Sequence, residues 1–289
     1  MARLRCSASP RWVPCPGSVQ LSEKYPEDPN TRSLPAMQGT ASHWVGSEVL
    51  SSYTDSGPEG IRSAQSFLDT QAPNGIIIVQ DMIDSVEVYI QDVLKEVQAR
   101  GALAGTFVER FVHAHSIHPE NEGTFDSAVF MHDPHDSTWI IWDFKDGWGI
   151  VEPFGNWQLI NYTVGLLAEW QDRGMDLPKS IKLRIVQPRP HHPMGDIRTW
   201  EATPEELHTY FQTMRDSAYE SLGGNPRYVP GSHCKHCPGR ANCTTLDRAV
   251  YEIQEFADTL TPTELVGGAL GARVEQLRIY SDLLSAFKS

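Results

Sequence analysis

The most constraining feature of this sequence is a pair of short apolar runs separated by a polar turn. The runs are Thr124 to Met131 and Thr138 to Lys145, and residues 132–137 between them contain an Asp-Pro pair. Both runs are rich in β-branched and aromatic residues, and two such runs around a turn-forming segment are typical of an antiparallel β-hairpin. The chain should therefore build a sheet around this hairpin.

Acidic residues occupy the interior of this predicted hairpin. Asp126 lies in the first strand, and Asp143 and Lys145 share one face of the second because side chains alternate with a period of two. Aspartate is disfavoured inside strands. Two acids on a half-buried sheet face remain unsatisfied unless a cation lies between them, and a divalent metal is the simplest such cation.

Composition limits the classes of function. The chain has 289 residues, 40% of them hydrophobic and 21% charged, which suits one large globular domain. Its net charge of −13 argues against a protein that coats nucleic acid, but not against an enzyme with a local basic groove and bound metal. No apolar run reaches the roughly 18 residues of a membrane span. No apolar stretch follows the basic N-terminus, so we expect no membrane contact and a cytoplasmic location.

The remaining segments predict a mixed α/β order, in which helices from both ends of the chain flank the sheet. Predicted helices cover Thr40 to Leu50, Gln80 to Arg100, Phe154 to Arg173, and Thr203 to Leu222. His43 would lie in the first or second turn of the first helix, and Thr203 with Glu206 would form a capping box on the last. Further strands are predicted at Gly105 to Val112, with Glu109 in the middle, and at Ile181 to Gln187.

The cysteines give a second signal. The five are Cys6, Cys15, Cys234, Cys237 and Cys243, the last three spaced as C-x2-C-x5-C. Their loop is polar and rich in turn-forming residues, so a structural metal or cluster would have to supply its stability. A fourth ligand could be Cys15, Cys6, His233 or His236. Zinc and a [4Fe–4S] cluster both accept such ligands, and the spacing does not choose between them.

Together these motifs resemble the RecB-like branch of the PD-(D/E)XK nucleases. The matching motifs are Gly39-x-x-x-His43, Gly123-x-x-Asp126, Asp143-x-Lys145 and Gln158-x-x-x-Tyr162. One early and three late cysteines are similar to the iron–sulfur subset of that branch, which includes CRISPR-associated adaptation nucleases and phage or prophage proteins. The resemblance covers most of the chain. It departs at Phe125, where the motif name has proline, and at Asp146, which adds a negative charge beside Lys145.

The resemblance implies a restriction-endonuclease-like fold, with a mixed central sheet flanked by helices. A cysteine-ligated metal cluster would join the N- and C-terminal segments. Residues 1–243 would form the nuclease domain, with residues 51–79 as an insert or cover loop. Residues 244–289 would form a C-terminal helical extension.

The resemblance also assigns roles to residues. His43, Asp126, Asp143 and the Phe144 carbonyl would hold Mg²⁺ or Mn²⁺, since hard oxygen ligands suit these ions and one imidazole favours manganese. Lys145 would act with Asp126 and Asp143 in catalysis, although a plain salt bridge to Asp143 is the alternative. Gln158 and Tyr162 would position the DNA backbone or the metal-site loop, and Glu109 would be an outer partner or purely structural. The expected ligands of the [4Fe–4S] cluster, or alternatively of zinc, are Cys15, Cys234, Cys237 and Cys243.

The implied function is a metal-dependent DNA nuclease, expected to act as an exonuclease in phage or prophage DNA recombination. Its implied partners are DNA single strands or duplex ends, a phage recombination protein, and further copies of the chain. One alternative is a zinc- or cluster-stabilised nucleic-acid-binding or scaffold protein whose Asp126, Asp143 and Lys145 form structural ion pairs. Another is an iron–sulfur redox protein.

Overall fold

The computed structural model describes residues 3–28, 33–100, 105–131, 137–258 and 267–288. The strands are β1 (Leu4–Arg5), β2 (Thr106–His113), β3 (Asn121–Phe130), β4 (Thr138–Phe144), β5 (Ser180–Val186) and β6 (Ile197–Ala202). The helices are α1 (Ser9–Trp12), α2 (Ser18–Lys24), α3 (Leu34–Ser56), α4 (Gln80–Arg100), α5 (Trp157–Asp172), α6 (Pro204–Ser221), α7 (Thr244–Asp258) and α8 (Gly267–Lys288). The predicted mixed α/β architecture, with a mixed central sheet flanked by helices, is confirmed.

The predicted hairpin forms the middle of the sheet. Strands β3 and β4 pair antiparallel, and the turn predicted between them lies mainly on residues 132–136, outside the described residues. Strands β2 and β4 both pair with Ser127, so they lie on opposite edges of β3. Beyond β4, β5 pairs parallel and β6 antiparallel. The short β1 pairs parallel with the start of β3.

Strand β4 shows how the sheet divides two layers of helices. Trp139 and Ile141 face the core shared with α5, α6 and the N-terminal segment, whereas Ile140 and Trp142 face the core shared with α3 and α4. All four side chains are fully buried. Because both faces of β4 are buried, its sequence is a continuous apolar run. Burial of each such side chain contributes about 1.5–3 kcal/mol to the free energy of folding.

Two helix predictions are confirmed, one in its bounds and one in its N-terminal cap. Helix α4 has the predicted bounds, and α6 begins with the predicted capping box between Thr203 and Glu206. The predicted start of α3 near Thr40 is wrong. Ser33 caps a helix that begins at Leu34 with a proline in its first turn, so His43 lies in the third turn.

The segment 51–79, predicted as an insert or cover loop, is partly helical. Residues 51–56 continue α3, and Ala64–Phe67 form a short 3₁₀ helix. Phe67 and Ile78 are buried in the core beneath α3 and α4. The segment therefore packs as part of that layer, while the division into domains stays a prediction.

The C-terminal segment is helical, as predicted. Leu246 and Ile253 of α7 and Leu283 and Ala286 of α8 form a small core around Cys234. Through this core the last helices pack on the cysteine-rich loop. Within the described residues, no helix has both the length and the apolar character needed to cross a membrane.

Candidate functional site

Strands β3 and β4 separate where the two aspartates face each other. Their last paired residues are Ser127 and Trp142, one step before Asp126 and Asp143. Beyond that point the Asp126 Oδ2 accepts a hydrogen bond of 2.7 Å from the Phe144 backbone N–H. The carboxylate thus replaces a main-chain partner and holds the strands apart. Both acids lie at the open end of the hairpin, not in the interior of the strand pair where the sequence places them.

Lys145 approaches Asp143 from the residue after β4. Its backbone N–H donates to the Val186 carbonyl at 2.9 Å, so the main chain stays fixed to β5. Its Nζ lies 2.8 Å from Asp143 Oδ2 and donates to Oδ1 at 3.1 Å. The predicted shared face is confirmed. Oδ2 is buried and accepts no well-aligned hydrogen bond from any described donor, although it contacts the lysine.

Gln158 connects the two charged groups to helix α5. Its Nε2 donates to Asp143 Oδ1 at 3.0 Å, and its Oε1 accepts from Lys145 Nζ at 3.1 Å. The same Nε2 lies 3.2 Å from the Tyr162 hydroxyl, which confirms the predicted shared helix face. Tyr162 is only 3% exposed, and its hydroxyl is joined to the other groups through Gln158.

A second group of ligand atoms lies on the other side of Asp126. His43, Glu109 and Asp126 each offer an atom within 4.8 Å of the others, close enough for one metal ion. His43 Nδ1 is 3.3 Å from Asp126 Oδ1. Helix α3 supplies the histidine, β2 the glutamate and β3 the aspartate. One imidazole with carboxylates suits Mg²⁺ or Mn²⁺.

Glu109 reaches this group through an irregular backbone. Its φ of 47° is unusual for a residue with a side chain, and such a conformation costs about 1–3 kcal/mol. The β2–β3 ladder pairs Val108 with Ser127 and Arg110 with Phe125, but not Glu109 with Asp126. Both irregularities occur where the two carboxylates meet, which is typical of a functional site.

The pKa values of these groups reflect burial first and the charges of their neighbours second. Burial disfavours the His43 cation, but attraction to Asp126 outweighs it and raises the pKa to about 9. Desolvation of the carboxyl, followed by repulsion from Asp126, raises the pKa of Glu109 to about 7. Burial raises the pKa of Asp143 despite Lys145. Attraction to His43 lowers the pKa of Asp126 against the opposing effect of burial.

Four cysteines, one early in the chain and three late, line one small cavity of about 10 Å³. They are Cys15, Cys234, Cys237 and Cys243. The Val229 N–H points at Cys15 Sγ at 3.3 Å, and the Gly231 N–H points at Cys234 Sγ at 3.4 Å. The early cysteine and the late triplet are therefore close in space, as predicted, and all five cysteines of the chain are thiols.

The spacing of these sulfurs differs from that of a zinc site. A tetrahedral zinc with 2.3 Å bonds brings its sulfurs within about 3.8 Å of one another. Among the described residues, the only group of three or more His, Cys, Asp or Glu ligand atoms within 4.8 Å contains no cysteine. In this structure the four sulfurs are therefore more widely spaced than the ligands of one bound zinc ion.

A comparison with protein families matches residues 1–285 to a model described as "Protein of unknown function (DUF2800)". This chain belongs to the DUF2800 family. The match includes both the open end of the hairpin and all of the cysteines.

Cys6 of this DUF2800 protein lies apart from the other four cysteines. It is fully buried, and its thiol donates to the side-chain oxygens of Asn121 at 3.3 Å and Asn161 at 3.4 Å. It does not line the cavity of the other four cysteines. Cys6 instead packs beneath Gly123 and Tyr162, where a Cβ on Gly123 would lie 2.7 Å from the Cys6 Cβ and 3.0 Å from Tyr162 Cε1.

Gly123→Ala in the DUF2800 protein should lower the free energy of unfolding by about 1–3 kcal/mol, because the added methyl has no room. Gly39, the other glycine of the motifs, has no atom within 4 Å of such a Cβ and lies in α3. Gly39→Ala should therefore raise the same quantity by about 0.5–1 kcal/mol. Urea unfolding of both variants measures the two free energies of unfolding. Equal changes in the two variants would contradict the packing described for Gly123.

Asp146 departs from the expectation that it adds a negative charge beside Lys145. Its side chain is only 1% exposed and forms an ion pair with Arg189 Nε at 2.6 Å. It also accepts hydrogen bonds of 2.6 Å from Ser42 and Ser85. Asp146 thereby joins α3 and α4 to the segment that follows β4. Because Ser42 precedes His43 and Asp146 follows Lys145, this contact fixes the position of His43 relative to Lys145.

The sequence did not predict two features of the site, the position of Glu109 and the contacts of Asp146. Glu109 was expected as an outer partner, yet it lies as close to His43 and Asp126 as a ligand would. An acid in the middle of an apolar strand was the available signal. The part of Asp146 in positioning α3 had no sequence signal, because its partners are distant in the chain.

Proposed function

We propose that this protein is a metal-dependent DNA nuclease that hydrolyses phosphodiester bonds, acting on strand ends. One observation carries the proposal. Lys145 Nζ lies against Asp143 at the point where β3 and β4 diverge, one step from Asp126. A cation, two carboxylates and an imidazole gathered at the ends of two central strands form a set that metal-dependent phosphodiester hydrolysis uses.

The donor set fits a hard divalent cation. His43, Glu109 and Asp126 already converge, and Asp143 follows the last β3–β4 pair on the strand opposite Asp126. These four side chains would hold the ion, with the Phe144 carbonyl as a further ligand. A bound Mg²⁺ or Mn²⁺ would polarise the scissile phosphate and lower the pKa of a water.

The chain's own residues would do the rest. Lys145 offers a partly exposed ammonium group to a phosphate oxygen, where it would stabilise the negative charge that develops during attack. Gln158 fixes the ammonium and Asp143 relative to each other through hydrogen bonds to both. Asp126 holds the two strands open by accepting from the Phe144 N–H. Tyr162 acts as a positioning residue behind Gln158.

The cysteine cavity supports a [4Fe–4S] cluster with a structural role. Three of its thiols are buried and Cys243 is half-buried. Burial raises the pKa of Cys234 to about 11, so a bound cation would be needed to keep a thiolate there. A cluster needs more widely spaced sulfurs than zinc does, which agrees with the spacing of the cysteines. Bound to Cys15 and the late triplet, the cluster would tie the N-terminal segment to α7 and α8.

A second candidate is a nucleic-acid-binding or scaffold protein without catalysis. The observation that favours it is the ion pairing of His43 with Asp126 and of Lys145 with Asp143, which satisfies these charges without a metal. Such a protein would bind Mn²⁺ weakly and release no nucleotides.

The test is cleavage of linear single-stranded and duplex DNA by protein dialysed against EDTA, with and without added Mg²⁺ or Mn²⁺. We expect no cleavage with EDTA and release of nucleotides from ends when metal is restored. DNA binding without metal-dependent cleavage would overturn the nuclease proposal and support the scaffold.

A further inference from the structure

The loop that follows Lys145 presents a large aromatic side chain to solvent. Trp148 is 70% exposed and lies three residues after the lysine. It stands between Gly147 and Gly149, neither of which has an atom within 4 Å of where a Cβ would be, so the loop is not crowded by other parts of the described chain. Single exposed aromatic residues are common on protein surfaces, but few lie on a loop that buried polar side chains hold in place.

A buried glutamine fixes the loop on both sides of Trp148. Gln187 is fully buried, and its Nε2 donates to the Gly147 carbonyl at 2.9 Å and to the Gly149 carbonyl at 2.8 Å. Its Oε1 accepts from the Val151 N–H at 3.0 Å and from Arg198 at 2.7 Å. Each polar atom of the amide is therefore used to shape this short loop.

Arg198 extends the support to strand β6. It is 4% exposed, and it donates to the Val151 carbonyl at 2.8 Å as well as to Gln187. Two buried polar side chains thus hold a loop whose outward surface is apolar. Ile150 is 55% exposed and Trp148 is 70% exposed. An exposed ring on a firmly held loop, three residues after the candidate catalytic lysine, suits a binding platform.

The charge of the chain indicates what such a platform binds. With 24 Lys and Arg against 37 Asp and Glu, attraction of phosphates contributes little to DNA affinity. Stacking of bases on aromatic rings contributes to single-strand affinity without depending on the net charge. Paired bases inside a duplex do not offer their faces to a side chain.

We propose that Trp148 stacks on an unpaired base next to the scissile phosphate, so that the substrate is a single strand or the frayed end of a duplex. This rests on the proposed nuclease function and adds the class of substrate. The strand enters over the loop of residues 147–150, with its backbone towards Lys145. Stacking is indifferent to sequence, so little base preference accompanies it.

The experiment compares cleavage of oligothymidylate with cleavage of an abasic strand of the same length, in Mn²⁺. Trp148→Leu should raise the KM for oligothymidylate by about 5- to 100-fold and leave kcat within about twofold. Trp148→Phe should recover part of the affinity. Both variants should match the wild type on the abasic strand. Tyr251→Leu, which alters a distant side chain that is 69% exposed, is the control.

The outcomes separate this inference from the proposed function. Equal KM values for wild type and Trp148→Leu on oligothymidylate would overturn the stacking role while the nuclease stands. Cleavage of blunt duplex in preference to single strands would overturn the substrate class in the same way. A wild type that cleaves no DNA with Mn²⁺ would overturn the nuclease itself and this inference with it.

Discussion

Replacing Lys145 with alanine should lower the kcat of DNA cleavage by about 10²- to 10⁴-fold, the loss typical when a group that stabilises transition-state charge is removed. Lys145 Nζ is the cation in contact with Asp143, and Gln158 holds it in place. Mn²⁺ affinity should stay the same or increase, because the ammonium group competes with the metal for Asp143. Single-turnover cleavage and Mn²⁺ titration of the same sample measure the two effects.

The alternative for Lys145 is a structural salt bridge, and two controls separate it from a catalytic role. Lys95 is exposed on α4, and Lys95→Ala should cleave like the wild type. Thermal unfolding of Lys145→Ala shows what fraction is folded at the assay temperature. If the remaining activity simply follows that folded fraction, Lys145 stabilises the protein and has no part in the chemistry.

Replacing Cys234 with serine should remove the cluster and destabilise the protein strongly. Cys234 lines the cysteine cavity and also belongs to the small core of α7 and α8. Because binding of a structural metal contributes directly to folding free energy, we expect a loss of more than about 3 kcal/mol. That corresponds to a Tm lower by roughly 6–12 °C. Iron content should fall from about four atoms per chain to below one.

Cys6→Ala is the matched control, since Cys6 is equally buried but lies outside the cavity. It should retain iron and the broad visible absorption of protein purified without oxygen. Unchanged iron in Cys234→Ser would contradict the ligand assignment. Zinc in place of iron in the wild type would favour the alternative metal.

Local rules predicted much of the sheet and its helices. In any strand, side chains two residues apart share a face, which places Asp143 and Lys145 together. In any helix, side chains four residues apart share a face, which places Gln158 and Tyr162 together. The bounds of α4 follow from its apolar stripe. Strand β6 was missed although residues 197–202 alternate, because the proline- and histidine-rich segment before it indicated a loop. Strand β1 has only two residues, too few for any periodicity.

The site was less predictable where it depends on distant contacts. Sequence left the fourth cysteine open between Cys15 and Cys6, and packing against Gly123 and Tyr162 is what removes Cys6 from the set. Glu109 reaches the metal ligands only because its backbone leaves the extended conformation. Neither tertiary packing nor a single irregular φ has a signature in a short sequence window.

The central claim is that Asp126, Asp143 and Lys145 form a metal-dependent hydrolytic site. Cleavage of end-labelled single-stranded and duplex DNA with Mn²⁺ tests it, with Asp143→Asn compared against Asp172→Asn, which alters an exposed aspartate at the end of α5. We expect the Asp172 variant to cleave like the wild type and the Asp143 variant to be slower by about 10³-fold. Equal rates for wild type and a folded Asp143→Asn protein would contradict the claim.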